Sequence, residues 1–126
     1  MSKKEVVSKI DSKDHFFNML QTNPGLIIIK LGASWCKPCK QIKEPVEKFF
    51  LQTPNNIVCC DIDVDDCDEI YTFLKNKRMI KSIPTILCYK KGNVEYAPDD
   101  SFTGSDLTGV ERFFNRCVIY SKDVQK

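Results

Sequence analysis

An almost uninterrupted aliphatic run at residues 26–31, Leu-Ile-Ile-Ile-Lys-Leu, most constrains how this chain can fold. Apolar side chains at consecutive positions, without the alternation of a half-exposed strand, indicate a strand that is buried on both faces. Strands of this kind belong to parallel sheets whose two faces are covered by helices. Asn23, Pro24 and Gly25 are turn formers that end any helix before the run. The run therefore predicts an α/β fold.

The remaining hydrophobic pattern predicts an alternation of helices and strands around this run. The predicted strands are residues 6–10, 26–31, 57–64, 84–89 and 94–96; the predicted helices begin after Asp11 or Ser12, span 37–52 with a break or kink at Pro45, begin after Asp65 or Asp66, and span 106–120. From the strand at residues 26–31 onward the order is βαβαββα, in which the early helices make parallel crossovers and the late hairpin adds antiparallel edge strands. Because there is no repeat and no linker-like stretch, residues 1–126 are expected to form a single domain.

Composition and charge exclude several functional classes. The 126 residues are 42% apolar and 29% charged, which is typical of a folded domain and not of a disordered chain. Nineteen basic against 17 acidic residues give a net charge of +2, so neither nucleic acid nor an anionic membrane is an expected partner. No apolar stretch approaches the ~20 residues of a membrane helix. The N-terminus lacks the apolar segment of a secretory signal, so we expect a cytoplasmic protein.

The chain has seven cysteines, an odd number, so at least one has no partner within the chain. They are Cys36, Cys39, Cys59, Cys60, Cys67, Cys88 and Cys117. Irregular spacing and the absence of a signal indicate a reducing compartment, in which thiols are metal ligands, catalysts or core residues. Cys67, at a predicted helix start, is either a second redox thiol or a silent surface thiol.

Cys36 and Cys39 stand where the buried strand gives way to a helix. Residues three apart in a first helical turn share one face, so the two sulfurs can meet. The unpaired N–H groups and the dipole at a helix N-terminus favour an anion, and thiolate is the species that attacks a disulfide. Pro38 is tolerated in a first turn, Lys37 adds positive charge, and Trp35 supplies an apolar wall. This pattern favours redox chemistry.

A zinc site is the main alternative for this cysteine pair. Zinc takes four ligands, usually in two spaced pairs, and no second pair is present. His15 is the single histidine, and Cys59 and Cys60 are adjacent on a strand, so they point to opposite faces. An inert buried pair is a second alternative, which the strand-to-helix junction disfavours. We therefore predict no bound metal.

Three segments in the right order resemble the thioredoxin family. They are Ala-Ser-Trp-Cys-Lys-Pro-Cys-Lys at 33–40, Ile-Pro-Thr at 83–85 and Lys-Lys-Gly at 90–92. The resemblance covers residues 6–120. It implies a thioredoxin fold, with a five-stranded mixed sheet and helices on both faces, and a protein-disulfide reductase that needs no bound cofactor. It also implies protein disulfides as substrates, an NADPH-dependent thioredoxin reductase-like flavoprotein as electron donor, and a monomer.

The same resemblance implies roles for individual residues. Cys36 is the nucleophile that forms a mixed disulfide with the partner, and Cys39 is the resolving thiol. The Ile83–Pro84 bond is expected to be cis, with the backbone of Ile83 beside the sulfurs, where an extended peptide pairs with it. An ordinary proline at a strand start is the alternative for Pro84. The residues expected to bind substrate are Trp35, Lys37, Pro38, Ile83, Pro84, Thr85 and Gly104.

The chain departs from the family most at Lys30. Thioredoxins usually have a buried aspartate there, which assists proton transfer at the second cysteine. The neighbouring strand often carries a lysine, where this chain has Asp61. One interpretation is that the acid and the base are exchanged between strands, with a proton-transfer or electrostatic role for Lys30 and with Asp61 as its partner. Alternatively, Lys30 extends to the surface and Asp61 belongs to an exposed strand end.

Two other functions on the same fold stay open at this point. One is an oxidase or isomerase that makes or reshuffles disulfides, which Lys30 and Lys37 favour because they stabilise the reduced thiolate form. Pro38 favours a reductase over an isomerase. The other is a binding module without enzymatic activity, against which the presence of both cysteines and Pro84 argues. One fold hosts many functions, so the fold alone does not decide.

Overall fold

The computed structural model describes residues 4–124, which form one five-stranded sheet flanked by four helices. The elements are β1 (Val6–Val7), α1 (Lys13–Gln21), β2 (Leu26–Gly32), α2 (Lys37–Gln52), β3 (Ile57–Asp63), α3 (Asp68–Asn76), β4 (Thr85–Lys90), β5 (Asp100–Thr103) and α4 (Leu107–Val124). From β2 onward this is the predicted βαβαββα order, and β1 and α1 precede it. Among the described residues, we find no helix with the length and apolar character to cross a membrane.

β2 lies at the centre of the sheet, whose strand order is β1-β3-β2-β4-β5. It pairs in parallel with β3 and antiparallel with β4, and β5 extends the antiparallel side. All seven residues of β2 are buried. The prediction from residues 26–31 is therefore confirmed, and the sheet is mixed because β4 runs antiparallel to β2, and β5 antiparallel to β4.

The alternation of side chains along β2 divides the core into two layers. Ile27, Ile29 and Leu31 face α1 and α3, whereas Leu26 and Ile28 face α2 and α4. Aromatic rings close each layer: the centroids of Phe16 and Tyr89 lie 5.6 Å apart on the first side, and those of Phe49 and Phe114 are stacked 4.0 Å apart on the second. Lys30 has the parity of Ile28, so it lies on the α2 side.

Local sequence explains the helix starts. Ser12 begins α1 and its Oγ accepts a hydrogen bond from the His15 N–H at 3.0 Å, the usual N-cap arrangement. The predicted bounds of α2 are confirmed, with Pro45 inside it. The predicted caps of α3 are wrong: Cys67, not Asp65 or Asp66, precedes the helix. The N–H of Asp66 instead donates to the Asp63 carbonyl, which makes a turn of this segment.

The predicted return strand at residues 94–96 is also wrong, because β5 begins only at Asp100. Asp99 accepts the Lys90 N–H at 2.7 Å through its carboxylate, and its own N–H donates to the Cys88 carbonyl. Tyr96 packs its ring against Phe73, with centroids 5.9 Å apart. Side-chain hydrogen bonds and packing against α3 thus hold residues 94–96 in a loop, and strand pairing begins only at Asp100. β1 is likewise shorter than the predicted 6–10.

An ionic network ties the edge strand β5 to α4. The Asp100 carboxylate accepts the Arg116 Nε–H and the Tyr120 hydroxyl, each at 2.7 Å. The Lys90 ammonium lies 4.4 Å from the centroid of the Tyr120 ring. Burial alone raises the pKa of Asp100, but the bonds from Arg116 and Tyr120 outweigh it and hold that pKa below its ordinary value of 3.8.

We predict that Asp100→Asn lowers the free energy of unfolding by about 1–3 kcal/mol at pH 7, because hydrogen bonds to charged groups are lost. The folded-state pKa is lowered, so this contribution is full above pH 3.8 and fades as the pH falls through the folded value. Urea unfolding of both proteins between pH 7 and pH 2 checks this. Asp66→Asn, at an exposed carboxylate, is the control. A deficit that stays constant across this range would contradict the assignment.

Candidate active site

The two cysteines occupy the junction between β2 and α2. Cys36 is the N-cap of α2, and its Sγ accepts the Cys39 N–H at 3.2 Å. The two sulfurs are joined in a disulfide, with Cα atoms 5.2 Å apart. Each residue is only 4% exposed. The first turn of α2 carries no acidic residue, so the positive end of the helix faces the sulfurs uncompensated.

The segment that precedes β4 closes the site opposite Cys36. The Ile83–Pro84 bond is cis, as the resemblance implied. The carbonyl oxygen of Ile83 lies 3.9 Å from Cys36 Sγ, and the Gly104 N–H donates to the Pro84 carbonyl at 3.0 Å. The structure thus places Ile83 against the disulfide, with Pro84 next in the chain and Gly104 bonded to Pro84. Thr85 is buried instead, and its hydroxyl donates to the Ser82 carbonyl at 2.6 Å.

Trp35 forms an exposed wall beside the disulfide. Its side chain is 66% exposed, yet its indole N–H donates to Asp65 at 2.7 Å across 30 residues of sequence. Lys37 and Pro38 are exposed in the first turn of α2. Asp65 had been interpreted only as a helix cap, and no local signal connects it to the tryptophan. It is a residue of this site that sequence reasoning missed.

Lys30 and Asp61 meet below the disulfide. They are register partners in β2 and β3, and Lys30 Nζ lies 3.4 Å from Asp61 Oδ1. The lysine side chain is 7% exposed and the aspartate side chain 32%. Lys30 therefore does not extend into bulk solvent. Of the two alternatives that the sequence leaves open, a Lys30 that is paired with Asp61 is the one present.

A cavity of about 410 Å³ connects this ion pair with Cys39. Its wall contains Lys30, Gly32, Ala33, Ser34, Cys39, Lys40, Lys43, Asp61, Ile62 and Asp63. A Cβ placed on Gly32 would lie 3.2 Å from Cys39 Sγ and 3.7 Å from Lys30 Cε. Because Gly32 has no side chain, the space between the Lys30 side chain and Cys39 Sγ stays open at this position.

The other five cysteines are free and buried. Burial raises the pKa of the Cys59 and Cys60 thiols, which makes them poor nucleophiles. Cys67 is 4% exposed, so the expected surface position is wrong for it. In the part of the chain that the structure describes, three or more histidine, cysteine or acidic side chains nowhere gather in a group that could hold a metal.

Known proteins resemble this chain over most of its length. Residues 7–113 match the family model described as Thioredoxin. A thioredoxin of Oryctolagus cuniculus is 35% identical over 90% of this chain and 100% of its own length, and one of Callithrix jacchus is 32% identical with the same coverage. In three dimensions, a thioredoxin of Malassezia sympodialis superposes with a TM-score of 0.70 and 24% identity, covering 92% of this chain and 94% of that one.

We predict that Asp65→Ala frees the indole of Trp35 without unfolding the protein, because the bond at 2.7 Å is the polar anchor of an exposed ring. Trp35 is the one tryptophan, so steady-state fluorescence anisotropy reports on it alone and should fall. Asp65→Asn keeps an acceptor oxygen and should retain most of the anisotropy. Asp66→Ala is the control for the neighbouring charge. An anisotropy unchanged in Asp65→Ala would refute the anchor.

Proposed function

The chain belongs to the thioredoxin family and is a thiol-disulfide oxidoreductase of the protein-disulfide reductase type; on this premise we propose that Cys36 attacks the substrate and Cys39 resolves the intermediate. One observation carries the assignment of roles. Cys36 caps α2 and its Sγ accepts the Cys39 N–H, so a thiolate there is stabilised by a hydrogen bond and by the helix dipole. Cys39 lies inside the first turn, beneath it.

The proposed reaction has two exchange steps. The Cys36 thiolate attacks one sulfur of a substrate disulfide, and the other substrate sulfur leaves as a thiolate and takes a proton. The Cys39 thiol then loses its proton, and its thiolate attacks Cys36 Sγ. The bond between Cys36 and the substrate breaks, the second substrate sulfur is released and protonated, and the Cys36–Cys39 disulfide forms. The substrate gains two electrons and the protein dithiol loses two.

We further propose that an extended peptide lies between Trp35 and the segment of Ile83 and Pro84. The carbonyl of Ile83 faces Cys36 at 3.9 Å, so a peptide that pairs with this backbone as an added strand has its sulfur near the nucleophile. Gly104, Lys37 and Pro38 form the rim of this groove. Thr85 supports the groove from below, because its hydroxyl donates to the Ser82 carbonyl and is hydrogen-bonded to the Thr103 hydroxyl.

Disulfide formation is a second candidate direction for the same exchange, and one observation favours it. Two lysines lie near the sulfurs, with Lys37 exposed in the first turn of α2 and Lys30 buried below. Positive charge stabilises the thiolate form and makes a disulfide more oxidising. The reduction potential distinguishes the two directions, since 30 mV corresponds to ~1.4 kcal/mol for this couple. A purely binding role is disfavoured by the assembled cysteine pair.

We propose an NADPH-dependent thioredoxin reductase-like flavoprotein as electron donor and no bound cofactor in the chain itself. We also propose that the chain works as a single domain, as a monomer, in the cytoplasm. The five free buried cysteines support a reducing compartment, because secreted proteins tend to pair theirs. Size-exclusion chromatography with light scattering tests the monomer.

We predict that Cys36→Ser abolishes the reduction of insulin by dithiothreitol-regenerated protein, because the attacking thiolate is gone. Cys39→Ser should instead trap a mixed disulfide through Cys36, which mass spectrometry of the non-reduced complex detects. Cys67→Ser, at a cysteine outside the site, should keep the wild-type rate. Wild-type turnover by the Cys36→Ser protein would overturn the proposed roles.

We predict that a thioredoxin reductase couples this protein to NADPH. Reductase, the wild-type chain and insulin should together consume NADPH at a rate that depends on the concentration of this chain. The Cys39→Ser protein should not support sustained consumption, because its oxidised disulfide cannot form. Reduction by glutathione alone, with no response to reductases from several sources, would assign the electrons to a different donor.

A further inference from the structure

We propose that the Lys30 ammonium activates the resolving thiol, by stabilising the thiolate of Cys39 from below while Cys36 attacks the substrate. This inference rests on the proposed function. It adds that the buried charge acts on the second of the two thiols. Lys30 is a positioning residue in this account, since it acts on the sulfur through the electric field and does not touch the substrate.

The strand parity of β2 places Lys30 on the side of Cys39. Lys30 and Gly32 alternate onto the face that α2 covers, and a Cβ at Gly32 would be within 4 Å of both Lys30 Cε and Cys39 Sγ. Cys36 lies at the top of the junction, against the Ile83 carbonyl. The lysine therefore approaches the site from the side of the second sulfur, through the floor of the cavity that Cys39 also lines.

Asp61 leaves part of this charge uncompensated. Its carboxylate is 32% exposed and contacts Lys30 Nζ at 3.4 Å, so solvent screens it, whereas Lys30 is 7% exposed. The charged groups that line the cavity are Lys30, Lys40, Lys43, Asp61 and Asp63. Lys43 is engaged with Glu47 at 4.0 Å on the surface of α2, and Lys40 and Lys43 are exposed. Of the charged groups that line the cavity with Cys39, Lys30 is thus the buried one, and its charge is positive.

The step that this charge assists is the second exchange. The Cys39 thiol gives its proton to solvent at the open side of the cavity, and the resulting thiolate lies over the Lys30 ammonium. The thiolate then attacks Cys36 Sγ and expels the substrate sulfur, with the electron balance given above. A unit charge a few ångströms from a partly buried thiol changes its ionisation by roughly threefold to thirtyfold.

Ellman's disulfide separates the two thiols in one experiment. Mixed with the fully reduced wild-type protein in a stopped-flow instrument, it releases a first thionitrobenzoate when Cys36 attacks and a second when Cys39 resolves the mixed disulfide. Each phase is followed from pH 5 to pH 9 by its absorbance. In Lys30→Met we expect the second phase to slow by roughly threefold to tenfold at pH 7, with its pH midpoint moved upward, and the first phase to change less.

Asp61→Asn gives the opposite expectation, because the lysine then loses its counter-charge. Its second phase should speed up and the midpoint should move downward, even though the fold is less stable with an unpaired buried ammonium. If Asp61→Asn does not fold, Asp63→Asn removes another carboxylate of the same cavity, keeps an acceptor for the Asp65 N–H, and should shift the second phase in the same direction. Lys48→Met, at an exposed lysine of α2 outside the cavity, controls for net charge.

An electrostatic role predicts changes of opposite sign in the rate of the second phase for Lys30→Met and Asp61→Asn. A merely structural role of the pair does not. If Lys30→Met and Asp61→Asn both slow the second phase, or neither moves its midpoint, the ion pair only supports the fold and the inference is overturned. A first phase that is shifted as much as the second assigns the charge to Cys36 and also overturns it. If the wild-type protein shows no first phase and does not reduce insulin, the proposed function itself has failed, which is a separate result.

Discussion

The turn that joins β2 to α2 is the constraint on which the rest of the site depends. A strand buried along its whole length cannot shift register without moving every aliphatic side chain to the wrong layer, so its end at Gly32 is fixed in space. From there the chain must enter α2 within a few residues, and Cys36 becomes its cap. The helix dipole, the contact between Cys36 Sγ and the Cys39 N–H and the position of Lys30 under the second sulfur all follow from this one junction.

Sequence patterns predict the elements that are determined by neighbouring residues or by complete burial. β2 and α2 are of this kind, since an aliphatic run and a Cys-Lys-Pro-Cys helix start need little tertiary information. The sequence pattern predicts residues 94–96 as the return strand of the late hairpin. Their loop is set by contacts that no local pattern contains: the Asp99 carboxylate on the Lys90 N–H, and the Tyr96 ring on α3. Tertiary bonds override weak strand propensity there.

The features of the site also divide into those that the sequence predicts and those that depend on tertiary contacts. The cysteine pair, the cis bond before Pro84 and the placement of Lys30 opposite Asp61 were expected, the first from residue chemistry and the others from a family resemblance combined with strand position. The bond from Trp35 to Asp65 was not, because it depends on how the turn after β3 folds. That turn replaced the predicted helix cap, so one wrong assignment concealed a functional contact.

Stability does not account for the buried lysine. Replacing a buried ion pair by apolar side chains of similar volume is often neutral or stabilising, and the partner here is partly exposed at 3.4 Å. Ile28 and Ile42 belong to the apolar layer on the same α2 side of the sheet. What an apolar residue could not supply is the sign of the electric field at the cavity floor. A carboxylate at that place would oppose a thiolate above it, whereas an ammonium favours one, so the residue at position 30 sets the sign of the field that acts on Cys39.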